Sequence, residues 1–339
     1  MRGFILATIL FLGGLAGAIA LIGAIGGDEI ALATREFSAV FLAPIVLLLV
    51  IEALLSTWRW HIILRAQGDA ISFKALIPVW MAGNAFNYIS PIVFMGGEGV
   101  RIFMLKNRFN IAYHRGASSV VVDQLFNGLS VVAVVVAGAG VLAWYVSSPG
   151  TTTALIVVSA IFGPALAAIG LLFAQAFRNK PTFTPILKLF SLHRTRFGTF
   201  TARTEKEMSS FLSLSSRAFW LVLGVTVARQ ITIIARAMFV LAALGVSVAW
   251  ADGLLALSGV FVAYALPIPL AIGTQEAAQT ALFGLLGWGV GTGILFSALY
   301  RATELALVFG GAVVLARSFT EFAANNIFKA IGLNGEEEE

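Results

Sequence analysis

The sequence predicts an all-α polytopic membrane protein with about six spanning helices plus two re-entrant helical hairpins in an inverted repeat. Three observations predict it. The 339 residues are 59% hydrophobic and only 12% charged, with a mean hydropathy of +0.93, whereas a soluble domain carries about 25% charged residues. The apolar runs reach about 20 residues or more, the length a helix needs to cross the hydrocarbon layer, and no barrel-like alternation dominates. Two stretches about 180 residues apart also look like versions of one another. Pro91-Ile-Val-Phe-Met-Gly96-Gly97-Glu98 and Pro269-Leu-Ala-Ile-Gly273-Thr-Gln-Glu276 share one spacing, and each follows a similar lead-in, Leu64-Arg-Ala-Gln-Gly68 and Leu241-Ala-Ala-Leu-Gly245. Paired broken helices in matching positions of two halves point to a transport site.

Along the chain, a first span is expected over about 4–25. Arg2 and the cleavage-like Ala18-Ile-Ala20 give it a signal-peptide look, but its apolar core exceeds the usual length of about 7–15 residues. Further spans are expected at about 39–58, 117–145, 153–177, 218–244 and 292–316. The regions 72–109 and 250–288 do not parse as single spans. Each has an arm ending at proline, a glycine-rich break and a second arm too short to cross comfortably. A hairpin entering and leaving by one face fits, provided protein or a wet cavity covers its irregular backbone; full crossing is the alternative. The whole chain reads as a single membrane domain. Repeat one covers about 39–145, a basic linker about 178–217, repeat two about 218–316 and a tail 317–339. The linker is expected as an interfacial helix drawn to anionic head groups or as a solvated connection.

Charge position supports this layout. With the N-terminus inside and neither hairpin crossing, all but Arg35, Arg229, Arg236 and Arg301 of the 22 lysines and arginines fall on the cytoplasmic side, as the positive-inside rule requires. Both termini are then cytoplasmic, the location is the cell (inner) membrane, and the two repeats run in opposite senses.

Charges within spans are costly and ask for a partner or a purpose. Glu98 and Glu276 start the second arms, after glycines that permit a sharp turn. Each either offsets a helix dipole or helps expose backbone N–H groups to an anion. Arg101, one turn beyond Glu98, is a head-group ligand or a local ion-pair partner. Arg301, beside Tyr300 and one turn before Glu304, is the first choice for a phosphate contact, against neutralising Glu276 or Glu304. Arg229 and Arg236 share a helix face, as a cationic track or as partners of Glu52 and Asp123. Gly96, Gly97, Asp123 and Glu304 complete the supporting set, and Asn84 and Asn87 are expected to satisfy broken backbone groups.

Absences narrow the function. There is no cysteine, hence no thiolate chemistry. His61, His114 and His193 make no metal-spaced set, and no zinc-protease, phosphate-loop or nucleophile-elbow motif occurs. No catalytic residue, metal or cofactor is expected, nor a nucleic-acid partner.

Trp58-Arg59-Trp60 with Leu64, Ser72-Phe73, Pro91, Gly96-Gly97-Glu98 and Arg101 resemble the first half of the lysylphosphatidylglycerol synthase transmembrane (flippase-like) family. Pro267-Ile-Pro269, Gly273, Glu276 and Tyr300-Arg301 resemble its second half. The resemblance implies lipid movement or handling in the membrane, of a phospholipid or of a polyprenyl- or hopanoid-type lipid. The family's fused synthase domain has no counterpart here, so lipid aminoacylation is not carried over. Three departures stand out. Leu270-Ala271 occupies the family's usual Gly-Gly, Gln275 a frequent arginine, and Asp123-Gln124 the usual Glu-Arg. They imply a less anionic lipid or a different pose.

The expectation is therefore a lipid translocator, no enzyme, whose head-group cavity is lined by Glu98, Arg101, Glu276 and Arg301. Its rivals are an ion- or proton-coupled transporter of a small polar solute and a non-transporting partner of a lipid-modifying enzyme. Small-residue faces such as Ala137-Gly138-Ala139-Gly140 and Gly287 to Gly293 suit internal helix packing or a homodimer.

Overall fold

A computed structural model describes residues 19, 20, 23, 34–89, 96–146, 149–178, 180–189, 194–213, 216–246, 248–266 and 268–330. Apart from residues 19, 20 and 23, the expected first span lies outside the described residues, as does the first hairpin's break at 90–95. Helices dominate: α1 Leu42–Ala66, α2 Phe73–Ile89, α3 Gly97–Phe109, α4 Tyr113–Tyr145 and α5 Pro149–Phe177. They continue as α6 Phe183–Leu189, α7 Arg196–Phe211, α8 Arg217–Ala243, α9 Trp250–Tyr264, α10 Thr274–Leu286 and α11 Val290–Ala330.

Among the described residues five segments are long and apolar enough to cross a membrane: Ala39–Ala66, Tyr113–Tyr145, Val158–Phe177, Arg217–Ala243 and Val290–Ser318. They fall on the other five predicted spans, so the chain is a multi-pass membrane protein. The first of them corrects one expectation. The helix expected to stop near residue 58 runs on to Ala66, carrying Arg59 from the predicted cytoplasmic loop into the protein interior.

Each hairpin region contributes two helices, α2 and α3 in the first and α9 and α10 in the second. The second arms α3 and α10 have 13 residues each, a rise of about 20 Å against a hydrocarbon layer of about 30 Å. Between α9 and α10 a short 3₁₀ turn, Pro269–Ala271, puts Leu270 and Ala271 at φ 59° and 48°. That left-handed region is unfavourable for residues with a Cβ, and it falls where the family that the sequence resembles usually carries Gly-Gly.

The halves are assembled alike. α1 and α8 pack together at the centre; α2 lies on α11 as α9 lies on α4; α2–α3 and α9–α10 each close on themselves. The first helices also end alike. Gly68 and Gly245 take φ of 88° and 77°, and the next residue's N–H, that of Asp69 or Val246, reaches back to Leu64 or Leu241. Small residues permit the closest approaches. A Cβ on Gly97 would stand 1.8 Å from the Gly83 carbonyl oxygen, and one on Gly83 would stand 2.6 Å from Arg101. Gly138 sits against Ser258, and Gly293 against the Gln279 backbone, while Gly140 and Gly287 have nothing within 4 Å, so one glycine of each small-residue face serves internal packing.

The linker is structured. α7 packs on α4 with Met208 and Phe211 buried in an apolar cluster beside Phe126 and Phe219. Glu205 of α7 accepts the N–H groups of Phe183 and Thr184 at 2.7 and 3.0 Å and the Thr184 hydroxyl at 2.6 Å, capping α6. Phe197 and Phe200 are exposed and leave an apolar edge on α7.

Candidate functional site

Helices from both halves converge on a cavity of about 160 Å³. α1 contributes Glu52, Ser56 and Arg59; α2 contributes Trp80, Asn84, Asn87 and Tyr88; α3 contributes Arg101; α4 contributes Asp123, Gln124 and Asn127. The second half adds Arg229, Tyr264, Leu270, Ala271, Tyr300 and Glu304. A polar wall in an apolar bundle needs dense pairing, because an unpaired charge there is expensive.

Two ionic clusters supply it. In the first, Asp123 bridges two arginines: Arg59 Nε donates to Oδ1 at 2.7 Å and Arg101 Nη1 to Oδ2 at 2.9 Å. All three residues are at most 4% exposed. Arg101 also lies 3.9 Å over the Trp60 ring, a cation–π contact that favours the charge in a dry site. In the second, Glu52 takes Arg229 and Arg236, each at 3.2 Å. Arg236 reaches on to Glu304 at 3.4 Å, to the Tyr300 hydroxyl at 2.8 Å and to Thr303 at 2.9 Å. Arg229 also donates to Ser56 at 2.8 Å and Asn127 at 3.1 Å. Glu304 accepts from the hydroxyls of Tyr88 and, at 2.5 Å, Tyr264.

The predicted residues are thus distributed. Arg101, Asp123, Arg229 and Glu304 line the cavity; Arg236 is bonded to its wall; Glu98, Glu276 and Arg301 are not among the lining residues. Glu98 sits one layer behind, accepting from Gln124 and, at 3.2 Å, from Asn87. Asn87 Oδ1 meanwhile accepts the N–H groups of Gly96 and Gly97 at 2.9 and 2.6 Å, the backbone role expected for it. Arg301 takes the structural alternative. It forks onto both Glu276 oxygens and donates to the Ala271 carbonyl at 3.1 Å, while Glu276 accepts from Gly273 N at 2.8 Å. The second break is tied to α11 in this way. Arg101 pairs with Asp123 rather than with its sequence neighbour Glu98, and Arg229 and Arg236 are ion-paired rather than a free cationic track.

The network repeats between halves. Shifted by the separation of Gly68 from Gly245, to within one residue, Arg59–Asp123 becomes Arg236–Tyr300 and Gln124–Glu98 becomes Arg301–Glu276. Sequence reading missed Arg59, Tyr88 and Tyr264 as wall residues. The signal for Arg59 was its place in the repeat, opposite Arg236.

Over 117 residues the chain is 32% identical to a UPF0104 membrane protein of Methanothermobacter thermautotrophicus. That stretch covers 34% of this chain and 35% of the relative, so the chain matches about a third of the relative's length. No solved structure matches. A family model described as the lysylphosphatidylglycerol synthase TM region matches residues 5–311. This multi-pass membrane protein therefore belongs to the lysylphosphatidylglycerol synthase TM-region family.

Proposed function

We propose that this protein moves an amphipathic lipid between membrane leaflets, the head group passing the central cavity while the acyl chains stay in the bilayer. The observation that carries the reading is the cavity itself: a charged, hydrogen-bonding wall built by both halves inside an apolar helical bundle. Such a wall can replace the hydration of a polar head group, which would otherwise be lost in hydrocarbon. The family adds that its namesake enzymes work on a phospholipid.

In this reading α2–α3 and α9–α10 are re-entrant hairpins, since second arms of 13 residues are too short to cross. Their like packing in the two halves makes an inverted repeat able to rock about the α1–α8 contact, the geometry of alternating access. The protein sits in the cell membrane with both termini cytoplasmic and performs no chemistry on its cargo; membrane lipids are its partners.

Proteoliposomes test it. With a phospholipid fluorescently labelled on its head group and an impermeant quencher outside, the protein should expose inner-leaflet label faster than protein-free vesicles do, and Glu52→Gln should slow that exposure. A rate equal to protein-free vesicles, together with a proton-driven flux of a small solute, would replace lipid movement with solute transport.

A further inference from the structure

Resting on the lipid reading, we infer that the Arg59–Asp123–Arg101 corner of the cavity is a phosphate-binding subsite. Charge balance around the cavity motivates this first. The second cluster is neutral, Arg229 and Arg236 facing Glu52 and Glu304. The first holds two guanidinium groups against one carboxylate. The excess positive charge of the paired network is therefore concentrated at one corner.

Unused donors are the second observation. Arg59 and Arg101 are 2% and 4% exposed and both line the cavity. Yet Arg59 Nη1 and Arg101 Nε and Nη2 are buried with no hydrogen-bond partner among the described residues. Buried guanidinium N–H groups ordinarily find acceptors, and leaving one unmet is costly. Asp123 takes one donor of each guanidinium, which leaves Arg59 Nη1 and Arg101 Nε and Nη2 for a further acceptor. A phosphate supplies several oxygens at the spacing that arginine forks suit.

The surroundings favour a fixed site. Gly83 leaves room for the Arg101 side chain, Gly97 lets α3 close onto α2, and Trp60 backs the guanidinium on its ring face. Outside the cluster, Glu98 on α3 is held by the neutral amides of Asn87 and Gln124 and Glu52 by Arg229 and Arg236; α2 presents Asn84, Asn87 and Tyr88 here, none of them cationic. The phosphate could belong to a lipid head group or be free.

The purified full-length protein decides. Binding would be read as concentration-dependent thermal stabilisation with three probes: dihexanoylphosphatidate, dihexanoylglycerol (the same tails without phosphate) and inorganic phosphate. The phosphatidate should bind at least about tenfold more tightly than dihexanoylglycerol, and Arg101→Lys should weaken it about tenfold, because lysine keeps the charge but loses the fork. Arg101→Lys is chosen over Arg101→Gln because it retains a cation for Asp123. Inorganic phosphate binding as tightly as phosphatidate would support the subsite with free phosphate as its source, and would count against lipid movement. Equal binding of phosphatidate and dihexanoylglycerol, or phosphatidate binding unchanged in Arg101→Lys, would overturn the subsite. If proteoliposomes still moved lipid in that case, only the subsite would fall.

Discussion

Replacing Asp123 by asparagine removes one carboxylate that serves two buried arginines. Arg59 and Arg101 meet it at 2.7 and 2.9 Å, with 3% of the Asp123 side chain exposed. At charge separations near 4 Å and an effective dielectric of about 20, each attraction is on the order of 4 kcal/mol. Part of that is returned, because asparagine keeps an oxygen that can accept from one guanidinium. Breaking a buried pair by deleting one partner costs roughly 3–5 kcal/mol, and that range is the expected loss for Asp123→Asn. Unfolding in detergent by a denaturant monitored through tryptophan fluorescence would measure it. Adding Arg59→Gln to Asp123→Asn should recover part of the loss, since it removes one of the two uncompensated charges. A variant within about 1 kcal/mol of wild type, the value of an ordinary exposed pair, would show that this cluster is solvent-screened and weakly coupled instead.

Three other outcomes follow from the geometry. Gly97→Ala sets a Cβ 1.8 Å from the Gly83 carbonyl; it should cost about 3 kcal/mol or more as an overpacked helix contact, seen as a lowered unfolding midpoint, whereas alanine at exposed Gly99, with nothing within 4 Å, should not. Glu205→Ala strips the cap from α6 and should speed proteolysis between residues 178 and 195 while leaving the spanning helices resistant. Asp69, between α1 and α2, has its carboxyl pushed above the ordinary value, by burial first and by nearby Glu207, against the opposing pull of Arg115. A raised carboxyl pKa contributes stability below the ordinary aspartate pKa and loses it as pH rises through the folded value. Asp69→Asn should therefore flatten the pH dependence of the unfolding midpoint in the window just above the ordinary aspartate pKa; an unchanged profile would contradict the assignment.

Periodicity and length made the spanning helices legible, because twenty apolar residues have few other fates. The repeat made the second break legible too: Pro269 to Glu276 announced it, and α10 begins beside Gly273 as α3 begins at Gly97. Pairing was not legible. Glu98 and Arg101 are one helical turn apart, yet Arg101 turns across to Asp123 because α4 packs against α3 there. Nothing local distinguishes Arg59 from Arg65 just beyond it, since its burial depends on α1 continuing past Trp58. The cavity is a tertiary object of the same kind. Tyr88 and Tyr264 reach one carboxylate, Glu304, only because the packing of α2 on α11 and of α9 on α4 brings the far ends of α2 and α9 to the same cavity.

The most direct measurement places a photoreactive side chain at Val131 on the cavity wall and, for comparison, at Val136 on the same helix, which is 50% exposed on the outer surface. After illumination in membranes, the adducts would be identified by mass spectrometry. Val131 should capture a restricted class of lipid, enriched over the bulk membrane, whereas Val136 should capture the bulk mixture. No lipid adduct at Val131, or the same mixture at both positions, would contradict passage of a lipid head group through the cavity.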